Sequence, residues 1–146
     1  MSFVKQYNSL LKRVRLAAED AVSCEMAEAV KDVMEEQTEL QVYSYEASAM
    51  AMASRRVDNG GLGDRRNMVH EVQAGADGEI TLTVEDTASF QDGGSRGVSL
   101  SDVVEKGLPG YNQPGPRPFV SGTETEAASS GRAYRALKAG LKRNGF

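Results

Sequence analysis

Tryptophan is absent from this chain of 146 residues, cysteine and histidine occur once each, as Cys24 and His70, and only four prolines are present. A lone cysteine cannot close a disulfide within the chain, and a lone histidine leaves the usual zinc ligand sets incomplete. No window approaches the roughly 18 apolar residues of a membrane span, and the opening MSFVKQYNSLLKRV carries basic groups without the apolar run of a leader. The expectation is a soluble, unprocessed, intracellular product with no membrane association. At 40% hydrophobic residues, with four Phe and fifteen Gly, the chain is long enough for one domain over 1–146 but lean in core-forming side chains. A thin core with long loops follows.

What is present is periodicity. Apolar residues at Phe3, Tyr7, Leu10, Val14, Ala17 and Ala21, then at Met26, Ala29, Val30 and Val33, recur at helical spacing, with Ser2 placed to cap and no Gly or Pro before Gly60. A long first helix over about residues 3 to 38 is predicted. The stretch LQVYSYEASAMAMASRR alternates weakly and reads as irregular or edge strand before the turn signal DNGGLGD. In NMVHEVQAGADGEITLTVEDTA, Val69 and Glu71, then Ile80, Leu82 and Val84, alternate around AGADG, which predicts a β-hairpin. SLSDVVEKG reads as a short helix capped by Ser99 or Ser101 and ended by Gly107. Residues 88–97 and 108–116, rich in Gly, Pro, Ser and Asn, read as flexible loops.

The last helix is expected to start at a capping box, Thr123 with Glu126, and to carry Ala127, Ser130, Tyr134, Leu137 and Leu141 on one face. Gly131 and Gly140 would each cost it roughly 1 kcal/mol relative to Ala, so it needs a partner surface. Upstream, Pro118 restricts Arg117 to extended geometry and places Phe119 to anchor the helix start in the core. The fold class is therefore α+β: a long N-terminal helix, a β-hairpin or small antiparallel sheet, a short helix and a C-terminal amphipathic helix.

Charge is segregated along the first helix. Residues 1 to 16 hold Lys5, Lys12, Arg13 and Arg15 and no acid, whereas residues 19 to 46 hold nine acids against Lys31 alone. This order opposes the helix dipole, which favours acids at the N-terminus and bases at the C-terminus. One reading is that both ends face water. The other is a head-to-tail contact, in which Lys12 and Arg13 of one copy meet Glu35 and Glu36 of the next and close a ring.

No catalytic set emerges. His70 stands beside Glu71 on a strand, where adjacent residues face opposite ways, so the two form no dyad. Cys24, between Val22 and Met26, reads as an inert, partly buried thiol. GGLGD is followed neither by Lys-Ser nor by a helix, which removes the phosphate-loop reading, and DNGGLGD lacks calcium-loop ligands. No catalytic residue, metal ligand or cofactor site is assigned. Arg132, Arg135, Lys138, Lys142 and Arg143 could meet phosphates, which keeps a small DNA-binding protein as the alternative, although the chain is acidic overall and carries no recognition motif.

The succession of a long N-terminal helix, GGLGDRRNM leading into a hairpin, LSDVVEKG, RPFV and the closing ALKAGLKRNGF resembles the tail-completion or head–tail joining family of long-tailed bacteriophages. The matching positions are Val104, Glu105 and Gly107, then Pro118 and Phe119. Lys106 stands where an aromatic is common. The resemblance implies a non-enzymatic virion subunit, assembled in the host cytoplasm and built into the head–tail junction. It would form a ring, a hexamer by expectation, between connector or stopper and tail terminator or tail tube, and DNA would pass through without specific binding. Another minor capsid or tail assembly protein is the nearest alternative. On this reading Arg135, Lys138 and Lys142 are presented to acidic neighbours, while Pro118, Phe119, Tyr134, Leu137 and Leu141 seat the helix.

Overall fold

The computed structural model describes residues 2–43, 60–90, 96–107 and 116–146. The first helix is longer than its sequence pattern predicts and is not uniform. It runs as α1 (Phe3–Ala21), a π-helical turn (Val22–Met26), α2 (Ala27–Thr38) and a second π turn (Glu39–Tyr43). Ser2 caps it, its Oγ accepting from the Lys5 N–H at 3.4 Å. A π turn inserts one extra residue and so resets which face points inward. The buried positions show why one is needed: Ala17 and Ala21 follow the four-residue step, Val22 to Ala27 is a step of five, and Lys31, Met34, Thr38 and Val42 resume threes and fours. Leu40 to Tyr43 therefore belong to the helix rather than to an edge strand, and the rest of that stretch, residues 44–59, lies outside the described residues.

The hairpin pairs β1 (Met68–Ala74) with β2 (Ile80–Asp86) in antiparallel register, His70 opposite Val84 and Val72 opposite Leu82. Directly opposed residues share a face, so the inward side carries Met68, His70 and Val72 with Leu82 and Val84. Val69 and Glu71 lie on the outer face with Thr83 and Glu85, which corrects the expected alternation by one residue on the first strand. The inward face leans on the first π turn and on α2.

Helix α3 (Leu100–Lys106) has the expected ends: Ser99 Oγ accepts from the Asp102 N–H at 3.3 Å, and Gly107 takes the left-handed conformation, φ 61°. The predicted loop 88–97 is pinned at its base by a bridge between Ser89 and Ser99 and by the Phe90 N–H donating to Val98 O at 3.0 Å. Residues 91–95 and 108–115 lie outside the described residues.

The expected single closing helix is two. Helix α4 (Phe119–Ser129) and α5 (Arg132–Arg143) are separated by Gly131 at φ 73°, a conformation that costs glycine little and other residues more. The break re-aims the chain so that α4 packs on α2 while α5 crosses α1 and the first π turn. Thr123 is not a cap. It lies inside α4, buried, with Oγ1 donating back to Phe119 O at 2.6 Å. The cap is supplied from another helix: the Glu105 carboxylate accepts from the N–H groups of Val120 (2.8 Å) and Ser121 (3.1 Å) and from the Ser121 hydroxyl (2.7 Å). This satisfies helix-start donors that a local Ser or Thr would ordinarily take.

Among the described residues the buried apolar side chains include two clusters. Phe119, fully buried, gathers Val42, Leu62, Ala88 and Val104, and a second cluster joins Val33, Ala127 and Ala133 between the helices. Gly140 lies where α5 crosses the first helix. A Cβ there would meet Ala21 Cβ at 2.5 Å and Ala21 Cα at 2.8 Å, so the residue that weakens the helix is also the one that lets the two backbones approach.

Candidate assembly surfaces

The first helix has two ends with different fates. From Ser2 to Leu16 every residue is exposed, including Phe3, Tyr7, Leu10, Leu11, Val14 and Leu16, and Phe3 stacks on Tyr7 with ring centroids 6.2 Å apart. The sequence places these residues on a face to be buried, yet within the described chain they meet no core. Lys12 and Arg13 are exposed with them; Arg13 lies 5.8 Å from the centroid of the Phe146 ring, and Arg15 donates to Gly75 O at the hairpin turn.

Beyond Leu16 the acidic half is held by bases of its own chain. Arg65 reaches from the short 3-10 turn Arg65–Asn67 into the row Glu28, Asp32, Glu35, at 2.7, 2.8 and 3.0 Å. Its hydrogen bond holds the Glu28 carboxyl below its ordinary pKa, against partial burial. Arg132 pairs with Glu36 at 2.6 Å, and Arg143 binds both Asp20 and Glu25. Asn144 also donates to Asp20 at 2.9 Å, and Asn144 and Arg143 together depress the Asp20 pKa. Glu35 and Glu36 thus each meet a base of their own subunit, Arg65 and Arg132. The charge order that opposes the helix dipole is explained by these tertiary partners.

The closing helices also divide the predicted residues. Of the five bases, Arg132 and the exposed Arg143 pair with acids of the first helix, while Arg135, Lys138 and Lys142 are exposed without an acid partner among the described residues. Arg135 donates to Ser130 O at 3.1 Å, and Lys138 lies 5.5 Å from the Tyr134 ring centroid. Phe119 is a core residue, but Tyr134 is 63% exposed, Leu137 and Leu141 are half-buried, and Pro118 is exposed while its neighbour Arg117 is buried, donating to Val42 O at 3.0 Å. The seated face of α5 is Ala133, Leu137, Gly140 and Asn144 rather than Tyr134, Leu137 and Leu141. Arg65 escaped sequence reasoning, although acids at 28, 32 and 35 form a stripe on one helical face that calls for a base.

An open groove of about 790 Å³ runs between the hairpin and the helices. Met26, Val30 and Met34 form its floor, Leu82 stands on the hairpin wall and Leu137 on the helical wall, and among the described residues its charged lining is Glu79 and Glu124. A second polar feature sits at the far end of the hairpin. Asp64 accepts from the N–H groups of Gly60 (2.7 Å) and Arg66 (3.0 Å) and from the Arg66 side chain, which pull its pKa well below the usual carboxylate range. Asp86, buried, accepts from the Ala88 N–H at 3.0 Å, while its Oδ2 has no hydrogen-bond partner among the described residues. Burial, with the Asp64 charge added, pushes the Asp86 carboxyl up to about 6.

His70 and Glu71 point to opposite faces of the hairpin. Cys24 is exposed, not partly buried, and its thiol donates to Asp20 Oδ1 at 3.7 Å; partial desolvation and the Asp20 charge raise its pKa and keep it protonated. Among the described residues no group of three His, Cys, Asp or Glu is placed to hold a metal ion, and no helix is long and apolar enough to cross a membrane.

A family model described as YomN matches residues 6–143, and the family's namesake is a phage-derived protein of Bacillus. No curated protein and no solved structure matches the chain.

Proposed function

We propose a structural, neck-completing role for this chain, which belongs to the YomN family and is phage-related. In this reading the protein is a virion subunit that joins head to tail as a ring, a hexamer, around the DNA channel, between the connector or stopper and the tail terminator or tube. The observation that carries it is the projecting helix end, residues 3–16, whose apolar side chains are exposed and join no core among the described residues. Exposed apolar surface of this extent marks a contact with another molecule. The net charge of −4 fits a lumen that does not hold phosphates.

DNA binding is the weaker alternative. Two of the five bases counted toward it are paired with Glu36, Asp20 and Glu25, which leaves Arg135, Lys138 and Lys142 without an acid partner among the described residues. Deleting the chain from a phage that encodes it separates the readings. Filled heads and complete tails that accumulate unjoined are the expected result. Tailed particles at the ordinary frequency would overturn the neck role, and salt-sensitive retention of the purified protein on DNA would favour the alternative.

A further inference from the structure

We propose that the groove between the hairpin and the helices is the receptor for the projecting helix end of a second copy of this chain. The inference shares with the neck reading only the expectation of a ring and needs no particular place in the virion.

Geometry comes first. The floor of the groove is the middle of the first helix itself, at Met26, Val30 and Met34, and residues 3–16 continue that helix away from it. Arg13 and Arg15 still meet Phe146 and Gly75 O, and a helix rises about 1.5 Å per residue, so residues 3–12 reach roughly 15 Å beyond the body and cannot fold back into their own groove without breaking. Another copy's groove is open to them. A helix with side chains is about 10 Å across, so residues 3–16 occupy on the order of 2,000 Å³. The groove, at about 790 Å³, takes the side chains of one helical face rather than a whole helix. Tyr7, Leu10, Leu11 and Val14 supply such a face, at spacings of three and four.

Charge agrees with shape. The projecting end carries Lys5, Lys12, Arg13 and Arg15 with no acid, and among the described residues the charged lining of the groove is Glu79 and Glu124. A basic helix entering an acidic-rimmed apolar groove is complementary in sign through Lys5, Lys12 and Arg13, Arg15 being held by Glu19 and Gly75 O of its own subunit. The contact is heterologous, since donor face and receptor differ, so each copy gives one helix and receives one, and closure yields a ring. An anionic membrane would also suit a basic amphipathic helix, but it would leave the matching groove on the same chain without an occupant.

Cysteine cross-linking tests this on the full chain with Cys24→Ser throughout. Leu10→Cys and Leu82→Cys carried on separate copies should form a disulfide-linked dimer when mixed and oxidised, and the doubly substituted chain should form a ladder of multimers. Leu10→Cys alone cross-linking to itself would show symmetric helix pairing and overturn the groove contact, as would a monomeric mass with no cross-link at high concentration. Flotation of the monomer with phosphatidylserine vesicles, in the absence of cross-links, would assign the helix to a lipid surface instead. In the otherwise native chain, Leu10→Asp should raise the concentration needed for self-association at least tenfold while thermal unfolding stays unchanged; equal association would sink the proposal. Cross-links that form while head–tail joining is indifferent to Leu10→Asp would leave this contact standing and remove the neck role.

Discussion

Two halves of one helix share an apolar stripe and differ in everything that stripe touches. From Ala17 to Tyr43 the stripe meets α4, α5, the hairpin and the 3-10 turn, and its flanking acids are tied to Arg65, Arg132 and Arg143. From Phe3 to Leu16 the same periodicity continues into solvent. Periodicity thus specifies that a face is to be covered but not by what, and the change falls where the charge changes sign. Acids appear where the chain brings its own bases, and the basic half has fewer partners, Arg15 with Glu19 and Gly75 O and Arg13 with the Phe146 ring.

The contrast breaks hardest in the clamped half. Phe119→Ala should lower stability by about 3–5 kcal/mol, the range for truncating a buried aromatic, because its cluster has few members to share the loss. Chemical denaturation at fixed pH measures it, and a loss below 1 kcal/mol would mean that this end is held by something other than its core.

Asp86 sharpens the comparison in the other direction. Its folded pKa near 6 lies above the ordinary 3.8, so the fold prefers the protonated acid. Below pH 4 the group is protonated folded or unfolded and costs nothing. As pH rises through 4 to 6 the unfolded chain releases its proton first, and above 6 the folded state carries a penalty of about 3 kcal/mol. Asp86→Asn should therefore raise stability at pH 7–8 by about 2–3 kcal/mol and leave it unchanged below pH 4. A gain equal at both pH values would refute the cause. The carboxyls of Asp20, Glu25, Glu28 and Asp64 have the opposite sign, since bases or backbone N–H groups depress them, and their support for the fold is lost as pH falls through the acid range.

The smallest effect belongs to the projecting half. Tyr7→Ser with Leu10→Ser should change monomer stability by no more than about 0.5 kcal/mol per site, as for surface positions, although both residues read as core in the sequence. Unfolding of the dilute monomer decides this, and a loss of several kcal/mol would place the stripe in a core of its own subunit.

Much of the architecture was legible because it is local. The first helix, the hairpin and the ends of α3 at Ser99 and Gly107 are written in spacing, turn chemistry and caps. The π turn at Val22–Met26 is not separated from the continuous helical spacing on either side of it. What escaped depends on distant partners. Thr123 with Glu126 satisfies a capping box on paper, but Glu105 takes the orphan donors four residues earlier. Gly131 follows two serines, a turn signal that helical periodicity on both sides outweighed. No sequence window shows that Glu35 and Glu36 find Arg65 and Arg132, since those partners lie 30 and 96 residues away.

The cap given by Glu105 makes the start of α4 conditional on α3. Its carboxylate and the Arg117 N–H to Val104 O bond, 3.0 Å, hold the end of α3 and the start of α4 side by side. The two helices are therefore one mechanical unit, in which a change that frees α3 also uncaps α4.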